Sequence, residues 1–136
     1  MLRIGIVDCD TSHVVQFTMR LNHVEIDQEQ WVDGANVVAA VPLPSAILEQ
    51  AKIDEYVEKL RGWGVEIVEK PEDLLEMGLD GVCIEAVDGS VHLERARPFL
   101  EAGMPLYIDK PFTTSSADAK EILRLARENN VPVFST

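Results

Sequence analysis

The sequence predicts an α/β fold, a doubly wound and mostly parallel six-stranded sheet with helices on both faces. Six short runs are almost wholly apolar and rich in Ile and Val, the composition of strands buried on both faces rather than half solvated. Most are separated by segments of helical periodicity, and parallel neighbours need such a crossover. The length of 136 residues suits a single core, and 46% hydrophobic with 26% charged content belongs to an ordinary globular chain.

The first strand is Leu2–Val7, running directly into Asp8. A helix is expected from near Ser12, with Asp10 or Thr11 supplying the oxygen that caps it. Residues 22–34 carry Glu25, Asp27, Glu29 and Asp33 around Trp31 with little periodicity, which reads as an acidic surface excursion pinned by its tryptophan. A second strand spans residues 36–41. Residues 44–63 form a helical region in which only Ile53, Tyr56, Val57 and Leu60 make a clear stripe, so its first half is expected to be irregular. After a strand at 65–68, Pro71 opens a short helix that ends before Gly78.

Gly81–Ile84 is the fourth strand. Leu93, Ala96 and Leu100 stripe a helix over 91–102, with Ser90 as its N-cap and Gly103 in the left-handed position after it. A strand at 105–108 leads to the helix marked by Ala119, Ile122, Leu123 and Ala126, where Ser115 and Asp118 have capping-box spacing. Residues 131–134 complete the sheet.

Composition excludes several functions. Twelve Lys and Arg against 24 Asp and Glu give a net charge of −12, which repels a phosphate backbone, and no basic cluster offsets it, so no nucleic-acid partner is expected. The longest uncharged stretch, residues 34–48, is broken by Pro42 and Pro44 and is shorter than the roughly 20 apolar residues of a membrane span. Asp8 and Asp10 stand where a signal peptide's apolar centre would continue, so a cytoplasmic protein is expected. Cys9 and Cys83 read as two reduced thiols without a function.

In doubly wound sheets ligands bind beyond the carboxyl ends of the strands. The loop after the first strand, Asp8-Cys9-Asp10-Thr11-Ser12-His13, lacks the glycines of a dinucleotide loop. With Asp8, Asp10 and His13 in the three glycine positions, two carboxylates would stand where phosphates lie. Taken alone, this loop argues against a dinucleotide. The second strand ends in Val41-Pro42-Leu43-Pro44, without the acid that usually holds the adenine ribose.

The later strand ends carry more. Arg3-Ile4-Gly5-Ile6-Val7, the loop histidine His92, Glu101-Ala102-Gly103, Asp109-Lys110-Pro111 and a helix beginning near Ser115 together resemble the amino-terminal domain of the Gfo/Idh/MocA oxidoreductases, over essentially the whole chain. The strongest element is Glu-Ala-Gly followed after five residues by Asp-Lys-Pro, a conservative form of that family's Glu-Lys-Pro signature. The resemblance implies a Rossmann domain over residues 1–136 that binds NAD or NADP. It also implies a carboxy-terminal substrate domain, absent from this chain, that carries most of the substrate pocket and the homo-oligomer contacts. The activity implied is a nicotinamide-dependent oxidoreductase acting on a sugar, polyol or related small molecule, with this domain inactive alone.

By the same resemblance Lys110 is the catalytic residue that reaches substrate and nicotinamide, and Pro111 fixes its turn. Cofactor contacts fall on Asp8, Cys9, Asp10, Thr11, Ser12 and His13, on Ala86, Val87, Asp88, Gly89 and His92, and on Asp109. A lysine ammonium beside a hydroxyl or carbonyl can stabilise oxyanion charge or relay a proton. Asp88 and Gly89 depart from the Pro-Asn often found in this loop. Glu85 is an unexpected charge at a buried strand end, and should be paired or face the crevice.

These departures share a direction. Asp8, Asp10, Glu85, Asp88 and Asp109 all fall at strand ends with His13, His92 and Lys110. Such an acidic crevice favours a cation or a polyol over a pyrophosphate. Acidic loops commonly hold no metal, and none is assigned. The alternative function is therefore a divergent non-redox ligand-binding or structural Rossmann domain that has lost dinucleotide binding. A response-regulator-like domain would share the strand-end aspartates and lysine, but with five strands rather than six.

Overall fold

A computed structural model describes residues 1–136. The six strands are β1 Leu2–Val7, β2 Ala35–Val41, β3 Glu66–Ile67, β4 Gly81–Ile84, β5 Leu106–Ile108 and β6 Val133–Ser135. All five neighbouring pairs are parallel, in the order β3-β2-β1-β4-β5-β6. The sheet is thus wholly parallel, and its order reverses between β1 and β4, where a doubly wound sheet opens its ligand crevice.

Four helices cover it: α1 His13–Leu21, α2 Gln50–Gly62, α3 His92–Glu101 and α4 Ser116–Glu128. Successive strand side chains point to opposite faces, so β1 sends Ile6 into a cluster with Val14, Val15, Ile53, Val57 and Leu60 from α1 and α2. Val7 instead joins Ala96, Phe99, Leu100 and Ile122 from α3 and α4. Both faces of the inner strands are covered, which is why β2, β1, β4 and β5 read as largely apolar runs, whereas the edge strands β3 and β6 stay partly exposed.

Several local expectations need correction. Residues 71–76 form a 3₁₀ helix rather than an α-helix, with Pro71 at its start. Ser90 does not cap α3: the Asp88 carboxylate accepts the Ser90 N–H at 2.9 Å, closing a 3₁₀ turn over Gly89–Val91 that feeds the helix. At α4 the Ser115 hydroxyl accepts from the Asp118 N–H at 3.0 Å as its spacing implies. Trp31 is only half withdrawn from solvent, and it holds the acidic excursion by stacking on His23, with ring centroids 4.3 Å apart. Cys9 is fully buried. No helix is long and apolar enough to cross a membrane.

Candidate active site

Asp8, Glu85 and Asp109 each occupy the first position beyond a strand, and each is still tied into the ladder by its backbone. The Asp8 N–H donates to Val41 O at 3.0 Å, Glu85 N–H to Val7 O at 2.9 Å, and Asp109 N–H to Ile84 O at 2.9 Å. Three acidic side chains are thereby fixed along the carboxyl edge by the sheet itself, and all three are buried.

Their partners differ. Asp8 sits at the end of β1 with φ 67°, in the left-handed region, and accepts from Arg95 Nε of α3 at 3.1 Å. Burial outweighs the Arg95 guanidinium and pushes its carboxyl up to about 6. Asp10 accepts from the Ser45 hydroxyl at 2.5 Å and from the Val87 N–H at 3.1 Å, joining the loops after β1, β2 and β4. It does not cap α1. The Thr11 hydroxyl accepts the His13 N–H at 3.3 Å, whereas Ser12, at the N-cap, makes no side-chain capping bond. The two carboxylates expected to oppose a pyrophosphate are therefore engaged with protein donors.

Asp109 is the centre of a second group. His13 Nδ1 donates to Asp109 Oδ2 at 2.5 Å and the Tyr107 hydroxyl donates to Oδ1 at 2.9 Å. Burial would raise the Asp109 carboxyl, but the Lys110 N–H, His13 and Tyr107 hold it below the usual carboxylate range. Burial and the neighbouring Asp109 push the Tyr107 phenol up to about 12. Phe17 stacks on His13 at 5.4 Å and meets Tyr107 edge-on at 6.1 Å, bracketing the pair. Glu85 lies against Asp109, and no donor from the rest of the protein reaches its carboxylate oxygens. Burial, then Asp109, raises its carboxyl to about 8.

His92 is fully buried, and its ring nitrogens lie 3.0 Å from the Phe112 carbonyl oxygen and 2.7 Å from that of Ala86. It ties the loop after β4 to the loop after β5, a supporting role. Gly89 is pressed against the same turn, where a Cβ would stand 2.9 Å from Pro111 Cγ. Lys110 is exposed on that turn. A groove of about 620 Å³, lined in part by Leu43, Pro71, Ser90, Leu93 and Arg95, opens between the loop after β2 and α3.

The acidic crevice of the sequence reading thus divides in two: Asp8 and Asp10 engage Arg95, Ser45 and Val87, while His13, Glu85 and Asp109 gather around one point. Asp88 belongs to neither, being spent on its own turn. Tyr107, Arg95 and Ser45 escaped the sequence reading. Tyr107 was within its reach, since residues two apart on a strand share a face and Asp109 was already singled out.

No curated protein matches the sequence. Among solved structures, the chain is similar to KijD10, a 3-ketoreductase from Actinomadura kijaniata in complex with NADP and TDP-benzene. That likeness has 21% identity and a TM-score of 0.73, over 99% of this chain and 37% of that one. An oxidoreductase from Agrobacterium radiobacter in complex with NAD+, L-tartaric acid and magnesium is 20% identical with a TM-score of 0.73, over 98% of this chain and 34% of that one. UDP-N-acetylglucosamine 3-dehydrogenase GnnA from Acidithiobacillus ferrooxidans is 17% identical with a TM-score of 0.70, over 97% and 37%. At these identities the likeness establishes the fold, and this chain spans little more than a third of each neighbour. The sequence profile described as "Oxidoreductase family, NAD-binding Rossmann fold" matches residues 20–136, most of the chain. The chain therefore belongs to the Gfo/Idh/MocA oxidoreductase family, as its NAD-binding Rossmann domain.

Proposed function

We propose that this chain binds a nicotinamide dinucleotide, NAD or NADP, along the carboxyl edge of its sheet and serves an oxidoreductase acting on a sugar, polyol or related hydroxylated molecule. A following domain would complete the substrate pocket and carry the oligomer contacts, a reading supported by neighbours nearly three times as long. The observation that carries the proposal is the state of the first loop. Asp8 is paired with the Arg95 guanidinium, which offsets its charge, and Asp10 is held in place by the Ser45 hydroxyl and the Val87 N–H.

The residues present fit the cofactor. Asp8 adopts the left-handed backbone otherwise supplied by a glycine. The first turn of α1 has no side-chain cap from Ser12, which leaves amides from that turn for a phosphate. The groove beside Leu43 and Leu93 suits an adenosine half, and the backbone of Cys9–His13 and of residues 86–89 would flank the remainder. When bound, the nicotinamide supplies the hydride acceptor or donor. Lys110 then donates a hydrogen bond to the substrate oxygen and stabilises it as negative charge develops. Asp109, kept ionised, holds the His13 ring through Nδ1 at the same edge of the sheet.

A second reading rests on Asp10. Its partners, the Ser45 hydroxyl and the Val87 N–H, bring no positive charge to the loop, and an acid there disfavours a pyrophosphate and favours a polyol whose hydroxyls donate to it. Calorimetric titration with NAD+, NADH, NADP+ and NADPH separates the two. Binding of one dinucleotide per chain by the unaltered protein is expected. Binding only after Asp8→Gly with Asp10→Gly would transfer the assignment to the second reading.

A further inference from the structure

His13, Glu85 and Asp109 come from the start of α1 and from the ends of β4 and β5, yet one ligand atom of each lies within 4.8 Å of the others. Clustered acids alone specify no ligand. The independent observation is Glu85, which is fully buried and whose carboxylate oxygens receive no donor from the rest of the protein, their near polar neighbour being another acid, Asp109. It faces a second buried carboxylate, Asp109, and such a pair is relieved either by a proton held on one of the two groups or by the positive charge of a cation between them. The nearby cations do not supply one by contact, since Arg95 is bound to Asp8 and Lys110 is exposed on its turn.

We propose that His13, Glu85 and Asp109 form a binding site for one divalent transition-metal ion of the Zn²⁺ or Mn²⁺ class. One imidazole nitrogen with two carboxylate oxygens is a mixed donor set, which suits these ions better than Mg²⁺ or Ca²⁺, whose preference is for oxygen alone. Three protein ligands leave coordination positions open to water or to a substrate oxygen. The supporting contacts are already present: Tyr107 holds Asp109 Oδ1, which leaves Oδ2 directed at the cluster, and Phe17 stacks on the His13 ring. On binding, the His13–Asp109 hydrogen bond gives way, the Nδ1 proton passes by way of solvent to Nε2 so that the ring stays a neutral imidazole, any proton on Glu85 is released to solvent, and Nδ1 and the carboxylate oxygens turn to the ion. A metal here would hold substrate hydroxyls at the same edge as Lys110, but the site stands whether or not a dinucleotide binds.

The test therefore contains no dinucleotide. The chain is freed of metal by chelator dialysis and titrated calorimetrically with Zn²⁺, Mn²⁺ or Mg²⁺. One Zn²⁺ or Mn²⁺ per chain is expected, with Mg²⁺ weaker, and affinity about tenfold or more lower in Glu85→Gln and in His13→Asn. Glu85→Gln keeps the volume while removing a buried charge, and His13→Asn alters a half-exposed side chain, so the second variant reports if the first fails to fold. Co²⁺ loading adds an absorption spectrum that must change in His13→Asn. Absence of stoichiometric binding would overturn the site, leaving a proton shared by the carboxyl pair. Equal binding by both variants would overturn it too, placing the ion on surface acids, and Mg²⁺ matching Mn²⁺ would remove the imidazole from the donor set.

Discussion

Asp8 meets two costs at once, a left-handed backbone at φ 67° and a carboxyl that is 2% exposed. Aspartate tolerates that backbone better than most residues, and Arg95 meets the charge in part, but burial still lifts the carboxyl from 3.8 to about 6. A pKa raised in the folded state means that folding favours the protonated acid. Its contribution to stability is complete below about pH 4 and is lost as pH rises through about 6. A shift of about two units bounds the effect at about 3 kcal/mol. Asp8→Asn lacks this titration, so the stability difference between the two proteins should move against the unaltered chain between pH 4 and pH 7. Urea unfolding at fixed pH values measures it, and parallel pH profiles would refute the account. The sequence displays Asp8 as an unpaired charge in a phosphate loop because its partner lies 87 residues away, on a helix whose register with β1 only the folded sheet sets.

The loops after β4 and β5 behave as one element. His92 joins them through the Ala86 and Phe112 carbonyls, and Gly89 lets the first loop rest on Pro111. In Gly89→Ala the new methyl would stand 2.9 Å from Pro111 Cγ and 3.0 Å from Pro111 O, and a backbone oxygen cannot swing aside. The loops must part, with an expected loss of about 1–3 kcal/mol. The urea midpoint reports that loss, and an unchanged midpoint would show that the two loops are not packed as a unit. Elements of this kind divide sharply in legibility. The inner strands β2, β1, β4 and β5 could be read because burial on both faces leaves a nearly continuous apolar run, the exposed edge strands β3 and β6 only through their Val, Ile and Phe content, and Ser115 announced α4 through a bond to a residue three positions on. The start of α3 could not, because Asp88 competes for the same amides and diverts the chain through a 3₁₀ turn. The candidate site was legible as positions, through strand ends and Asp109-Lys110-Pro111, but not as pairings. Asp10 with Val87 and His13 with Asp109 span 77 and 96 residues, and their geometry follows from strand order rather than from any local pattern.

The molecule as a whole carries a net charge of −12, and its basic residues are largely occupied near home. Lys52 and Lys59 pair with Glu55, Arg61 with Glu58, and Arg124 with Glu121 and Glu128, all on the exposed sides of α2 and α4. Such surface pairs are worth at most about 1 kcal/mol each and often nothing measurable. The acids outnumber the Lys and Arg residues by twelve, and that excess has no counter-charge, so long-range repulsion opposes the compact state. Raising NaCl from about 0.01 to about 0.15 M shortens the screening length from about 30 to about 8 Å, which weakens both effects. Repulsion acts over longer distances than contact pairs and is screened more completely, so the net change should favour folding. The urea midpoint at pH 7 is therefore expected to rise with NaCl over that range. A falling midpoint would mean that the ion pairs of α2 and α4 outweigh the excess of negative charge, and that the charge excess is not what limits this domain's stability.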